Sequence, residues 1–163
     1  MLPDPLHPAI VHFPIVLMVS LPVVTAAVVW RLHDGAPLRR WGLVILMAAL
    51  VTASAFVAIR TGEDEEDVVE EVVAEEAIHD HEEAAEAFYL ASWIVLGIAL
   101  VGLVPGTTGR VGRLLALAGS LVLVGFGVRV SDLGGKLVYQ HGAAAAYVEG
   151  GRSGAGRGDS VEP

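Results

Sequence analysis

Four long apolar stretches, separated by short polar segments, dominate the pattern of hydrophobic and polar positions along the chain. They predict membrane-spanning helices over residues 9–30, 41–59, 88–104 and 112–132. A helix needs about 20 largely apolar residues to cross about 30 Å of hydrocarbon. The fourth stretch reaches this length if Arg113 and Arg129 extend their charged heads toward opposite interfaces. The pattern therefore predicts an all-α protein, an integral membrane four-helix bundle.

The segment between the second and third apolar stretches has the opposite character. Residues 63–86 hold 13 of the 19 acidic residues, and no lysine or arginine occurs over 61–109. Four valines recur there with helical spacing and form a narrow apolar stripe: Val68, Val69, Val72 and Val73. We expect an additional acidic amphipathic helix over 63–86 that lies on the membrane face or caps the bundle.

Composition narrows the chemistry that the chain can perform. It has no cysteine, which excludes disulfides, thiolate metal ligands, iron–sulfur clusters and covalently attached haem. A formal net charge of −9 without a basic patch disfavours nucleic-acid binding. No triad, phosphate loop or pair of buried carboxylates can be picked out, so the sequence does not indicate an enzyme.

Basic residues in the loops orient the bundle. Arg31, Arg39 and Arg40 follow the first stretch and Arg110 and Arg113 follow the third, whereas the N-terminal segment has no lysine or arginine. The positive-inside rule then places both loops in the cytoplasm and both termini outside. The N-terminal segment also lacks the basic region of a cleavable signal peptide, so we expect the first span to be retained.

This topology gathers five of the six histidines at the outer ends of the helices. His7 and His12 open the first span, His79 and His81 precede the third, and His141 follows the fourth. An ionisable side chain inside an apolar helix, such as His12, is costly and usually has a partner or a function. His79 and His81 lie about 200° apart around a helix, so both cannot face one site. The five histidines are candidate cofactor ligands, and incidental solvated histidines are the alternative.

Two kinds of cofactor suit such a cluster. Haem b takes imidazoles from two helices, and we pair His12 with His141 or with one of His79 and His81, leaving His7 to support a ligand. Copper or zinc instead needs three or four ligands. For that metal site the candidates are His7, His12, His79, His81, Glu75 and Glu83. The sequence leaves haem, metal and no cofactor open.

Two segments near the ends of the chain carry distinctive motifs. The first is Leu6-His7-Pro8-Ala9-Ile10-Val11-His12-Phe13-Pro14, and the second is Gly134-Gly135-Lys136-Leu137-Val138-Tyr139-Gln140-His141-Gly142. With Thr61-Gly62 after the second span, they resemble the bacterial membrane family known as domain of unknown function 2231. The resemblance covers most of residues 6–142 and implies a four-span domain of the bacterial inner membrane, sometimes beside cytochrome or Rieske-type redox modules. It implies no settled activity.

These observations predict a small redox or electron-transfer subunit with a histidine cluster at the outer membrane face. Its expected partners are the lipid bilayer and a redox, respiratory or photosynthetic membrane complex. The alternative is a non-catalytic accessory or scaffold subunit whose acidic segment docks a basic partner. We expect one membrane domain over residues 1–149 and a disordered Gly/Ser/Arg-rich tail over 150–163.

Overall fold

Four long helices make up most of the described residues, and three short helical segments adjoin their ends. The computed structural model describes residues 5–33, 35 and 37–147, which contain no strand. The helices are α1 (His7–Ile10), α2 (His12–His33), α3 (Trp41–Glu63), α4 (Glu66–Glu70), α5 (Glu75–Val101) and α6 (Gly106–Tyr139), and a 3₁₀ turn (Leu38–Arg40) leads into α3. Four helical stretches are long and apolar enough to cross a membrane: His7–His33, Leu38–Glu63, Glu75–Val101 and Gly106–Tyr139. The predicted all-α, four-span architecture is confirmed.

The four long helices close into a ring. α2 packs on α3, α3 on α5, α5 on α6, and α6 returns to α2. Leu21, Val51 and Leu123 are almost completely buried where these helices meet. Buried hydroxyls bond within their own helices, because Thr25 Oγ1 donates to the Leu21 carbonyl at 2.7 Å and Ser120 Oγ to the Leu117 carbonyl at 2.7 Å. Both buried hydroxyls therefore have a hydrogen-bond partner within the protein and do not need water.

Large apolar side chains cover the outside of the ring. Val16 and Leu90 are each 63% exposed, and Leu121 is 59% exposed. A water-soluble protein rarely exposes such a continuous apolar surface. The outward faces are suited to contact with lipid, because lipid tails are as apolar as the side chains that cover these faces.

The end of the bundle that contains the α5–α6 turn is tightly packed. Trp41 is fully buried there, and its Nε1 donates to the Ala99 carbonyl at 2.7 Å. Arg113 Nη1 donates to the Gly102 carbonyl at 2.6 Å and so pairs a carbonyl at the end of α5. A Cβ atom at Gly109 would overlap the backbone carbonyl oxygen of Val104, so only glycine fits at this position in the first turn of α6.

The acidic segment differs from the expected single helix over 63–86. α3 continues to Glu63, α4 covers only Glu66–Glu70, and α5 starts at Glu75 and runs into the membrane span. The break lies at Ala74, whose extended backbone (φ −65°, ψ 134°) precedes α5. Because residues 75–87 contain strong helix formers and neither glycine nor proline, the third span continues well past its apolar part.

The other helix ends also extend beyond the expected spans. α6 covers Gly106–Tyr139, where the sequence predicts 112–132, and the helix persists through Gly134 and Gly135. The expected tail over 150–163 lies outside the described residues.

Substitution of Gly109 by alanine tests the packing of the α5–α6 turn. Gly109→Ala should destabilise the protein by about 1–3 kcal/mol, since the added methyl meets backbone that cannot rotate away. Gly125→Ala on the same helix is the matched control, because its Cβ meets no described atom within 4 Å. It should be neutral or stabilising by up to about 1 kcal/mol. Thermal unfolding in detergent, followed by circular dichroism, measures both, and equal stabilities would contradict this packing.

Candidate functional site

A cavity of about 750 Å³ lies at the opposite end of the bundle from the α5–α6 turn. We call this end the histidine end, where residues 5–10, 58–86 and 134–147 meet. Two histidines and a tyrosine line the cavity together with five glutamates and many apolar side chains. The polar lining residues are His7, His81, Tyr147, Glu63, Glu65, Glu66, Glu82 and Glu86. Apolar walls with a few polar groups are typical of a ligand site.

His7 and His81 face each other in this cavity. Their ring centroids lie 6.4 Å apart, and the ring planes are perpendicular, at 89°. His7 belongs to the short helix α1 and His81 to the second turn of α5, so the pair joins two separate elements. The fold thus brings together two histidines that are 74 positions apart in the sequence.

The ring of His7 is held by α3. Its Nδ1 lies 2.9 Å from the Ala58 carbonyl oxygen and 3.3 Å from Thr61 Oγ1. A carbonyl oxygen can only accept, so we assign the proton to Nδ1, and Nε2 of the neutral ring keeps its lone pair. Hydrogen bonding of one ring nitrogen to a carbonyl is the usual way in which proteins orient a histidine that ligates a metal.

Glu65 holds the backbone of the same residue. Its Oε1 accepts hydrogen bonds from the amide of Leu6 at 2.6 Å and from that of His7 at 2.9 Å. Its Oε2 accepts a hydrogen bond from the Tyr147 hydroxyl at 3.0 Å. One carboxylate therefore joins the start of the described chain, the α3–α4 connection and the segment after α6.

The ring of His81 has an unsatisfied nitrogen. Nδ1 is buried and is the one buried side-chain nitrogen or oxygen among the described residues that lacks a hydrogen-bond partner. A buried polar atom without a partner costs free energy, so such atoms are uncommon in folded proteins and often mark functional positions. Nδ1 of His81 is therefore a polar atom that the fold leaves without a partner at this end of the bundle.

A glycine lies beside each of the two rings. A Cβ atom at Gly62 would be 3.3 Å from the His7 ring, and one at Gly134 would be 3.0 Å from Cε1 of His81. Both glycines allow the neighbouring helix to approach the imidazole closely. Thr61-Gly62 and Gly134-Gly135 are motif residues in the sequence, which does not indicate that they neighbour the histidines. Nor does the sequence indicate Glu65, since nothing in an acidic run distinguishes one glutamate.

The structure does not bring together the histidines that the sequence pairs for haem. His12, His79 and His141 are all exposed, and within the described part of the chain none of their rings contacts another aromatic ring. His12 lies five residues after His7, about 140° around a helix, so only one of the two faces the interior. By the same geometry His79 points away when His81 points in. Of His7 and His12, His7 is the one whose ring faces His81.

The ligand set expected for copper or zinc is also dispersed. Glu75 and Glu83 are exposed, as is His79 between them. Across residues 5–33 and 37–147 no group of three or more histidine, aspartate or glutamate side chains is arranged to hold a metal ion. The arrangement instead offers two imidazoles from different elements, beside a large apolar cavity with an acidic rim.

Chemical modification can test whether His81 is more buried than its neighbour His79. Diethyl pyrocarbonate reacts with accessible neutral imidazole nitrogens, and His79 and His81 lie two residues apart on one helix. We expect His79 and His141 to be modified several-fold faster than His81, because their rings are exposed while Nδ1 of His81 is buried. Mass spectrometry of peptides gives each rate. Equal rates at positions 79 and 81 would contradict the orientation of α5.

Comparison with known proteins assigns the family. No curated protein and no solved structure matches the chain. The family model described as predicted membrane protein DUF2231 matches residues 3–146. The match includes both terminal motifs, all four candidate spans and both histidines of the cavity. The chain therefore belongs to the DUF2231 family of membrane proteins.

Proposed function

We propose that the protein is a small membrane redox subunit whose histidine end would hold haem b through His7 and His81. The observation that carries the proposal is the pairing of the two imidazoles, whose centroids are 6.4 Å apart beside a cavity of about 750 Å³. Two imidazoles that bind one metal ion at about 2.0 Å each can have centroids about 6 Å apart. The observed spacing is close to this value.

The donor set favours haem over a bare metal ion. The porphyrin supplies four nitrogens to the iron, so the protein needs to contribute only two ligands. Copper or zinc would need three or four protein ligands, and no such group exists among the described residues. Nε2 of His7 has a lone pair because Nδ1 bonds the Ala58 carbonyl.

The cavity walls give the site its electrostatic character. Among the described residues, five glutamates line the cavity and no lysine or arginine does. Negative charge stabilises ferric iron relative to ferrous iron, so we expect a low reduction potential. Arg129 and Lys136 near the end of α6 are the candidate partners for the propionates, although Lys136 also pairs with Asp132 at 2.6 Å.

Haem would let the subunit accept and donate one electron at a time. Ala58 and Glu65 hold His7 through hydrogen bonds, and the apolar walls limit water at the site. We place the histidine end outside the cytoplasm of a bacterial inner membrane, because Arg39, Arg40 and Arg110 lie at the other end of the bundle. A redox partner would then reach the site from the outer side.

Absorption spectra test the proposal directly. We expect the protein purified from haem-supplied cells to show a Soret band and a sharp α-band after reduction with dithionite. His7→Ala and His81→Ala should each lose most of the bound haem, since each removes one of the two residues that would hold it. His12→Ala and His141→Ala are matched controls, and both should keep the wild-type spectrum because their rings are exposed.

Two outcomes would contradict the proposal. One is full haem content in both His7→Ala and His81→Ala. The other is a colourless wild-type protein after expression with haem, which would favour the accessory or scaffold subunit. Elemental analysis of the same sample shows whether a colourless protein contains stoichiometric copper or zinc instead of haem.

A further inference from the structure

Glu65 makes three hydrogen bonds to elements that are distant in sequence. Its Oε1 accepts from the amides of Leu6 and His7, and its Oε2 accepts from the hydroxyl of Tyr147. The first two partners are 59 and 58 residues away, and the third is 82 residues away. Glu65 is therefore the contact at which both ends of the described chain meet the α3–α4 connection.

The amides that Glu65 accepts from have no partner in their own helix. α1 comprises only four residues, and the first amides of any helix point away from its hydrogen-bond ladder. Leu6, the residue that precedes α1, has no side chain that could cap them. A carboxylate that accepts from backbone amides forms charge-assisted hydrogen bonds, about twice as strong as neutral ones. A four-residue helix is too short to be stable alone, so these bonds fix where α1 lies.

We propose that Glu65 is the positioning residue of the histidine pair: it fixes the backbone of His7 so that the imidazole faces His81. The ring has a second restraint, from the Ala58 carbonyl at 2.9 Å, and the two restraints define backbone position and ring orientation separately. The role of His7 as a ligand rests on the proposed function. The positioning itself is a property of the protein without a cofactor.

Three substitutions separate hydrogen bonding from charge. Glu65→Ala removes every bond. Glu65→Gln keeps a carbonyl oxygen that can accept from both amides, so it should restore the contact without the charge. Glu66→Ala is the matched control, because Glu66 lines the same cavity and carries the same charge, while no hydrogen bond of its side chain is described.

Hydrogen exchange in detergent, without haem, measures the positioning. Glu65→Ala should accelerate exchange of the Leu6 and His7 amides by about tenfold, as expected for loss of a hydrogen bond to a charged group. Glu66→Ala should exchange as slowly as the wild type, and Glu65→Gln should lie between the wild type and Glu65→Ala, because its hydrogen bonds to the amides are neutral. In the haem-supplied protein, Glu65→Ala should lose more of the bound haem than Glu65→Gln does.

The outcomes distinguish this inference from the proposed function. Wild-type exchange rates at Leu6 and His7 in Glu65→Ala would overturn the positioning role, whatever the haem content. A wild-type protein that binds no haem, with fast exchange in Glu65→Ala, would overturn the haem proposal alone. If Glu65→Ala does not fold, Glu65→Asp replaces it, since it keeps the charge but shortens the reach by one methylene. Unchanged exchange in Glu65→Asp would then overturn the inference.

Discussion

The exclusion of charge from the hydrocarbon layer is the constraint on which the rest of this structure depends. Over residues 41–59, 87–109 and 114–128 the chain has no charged side chain. Hydroxyls within the bundle donate to carbonyls of their own helix, as Thr25 does to Leu21. Polar chemistry is therefore confined to the two ends, where helices leave the apolar layer.

The two ends meet this constraint in different ways. At one end Trp41, Gly102 and Gly109 pack closely around the α5–α6 turn and leave little space. At the other end α3, α5 and α6 extend beyond their apolar parts and enclose a cavity of about 750 Å³. Short elements complete this enclosure, namely α1, α4 and the segment around Ala143, which is buried against Val73 and Ile78. The closely packed end supports the bundle, and the open end provides a site.

Within that site, a few backbone and side-chain contacts hold the two histidine rings in place. The Ala58 carbonyl sets the tautomer of His7, Glu65 fixes its backbone, and glycines 62 and 134 allow close approach to both rings. The acidic rim adds negative potential around the two imidazoles. Glu82 and Glu86 lie on the same face of α5 as Ile78, so the helix that carries His81 also supplies part of this rim.

Hydrophobic patterning predicted the four spans, because length and apolar character alone define a membrane helix. It could not locate the start of α5, since the acidic residues 75–87 form a helix as readily as the apolar residues that follow. The gathering of histidines at one end followed from topology, and the 200° separation of His79 and His81 indicated that only one could face a site. The sequence could not show that His7 rather than His12 faces the cavity, because this depends on how α1 and α2 are rotated relative to α3. Selecting Glu65 among 13 neighbouring acids required three-dimensional contacts.

The site at the histidine end exists only if His7 meets His81, and cross-linking in the membrane tests this contact. The chain has no native cysteine, so His7→Cys with His81→Cys introduces two unique thiols. A short bismaleimide should join them within one molecule and shift its electrophoretic mobility. His33→Cys with His81→Cys is the control, because His33 ends α2 at the other end of the bundle. Efficient cross-linking of the 7/81 pair, and none of the 33/81 pair, is the predicted result. Failure of the 7/81 pair under conditions in which both thiols react singly would contradict the account.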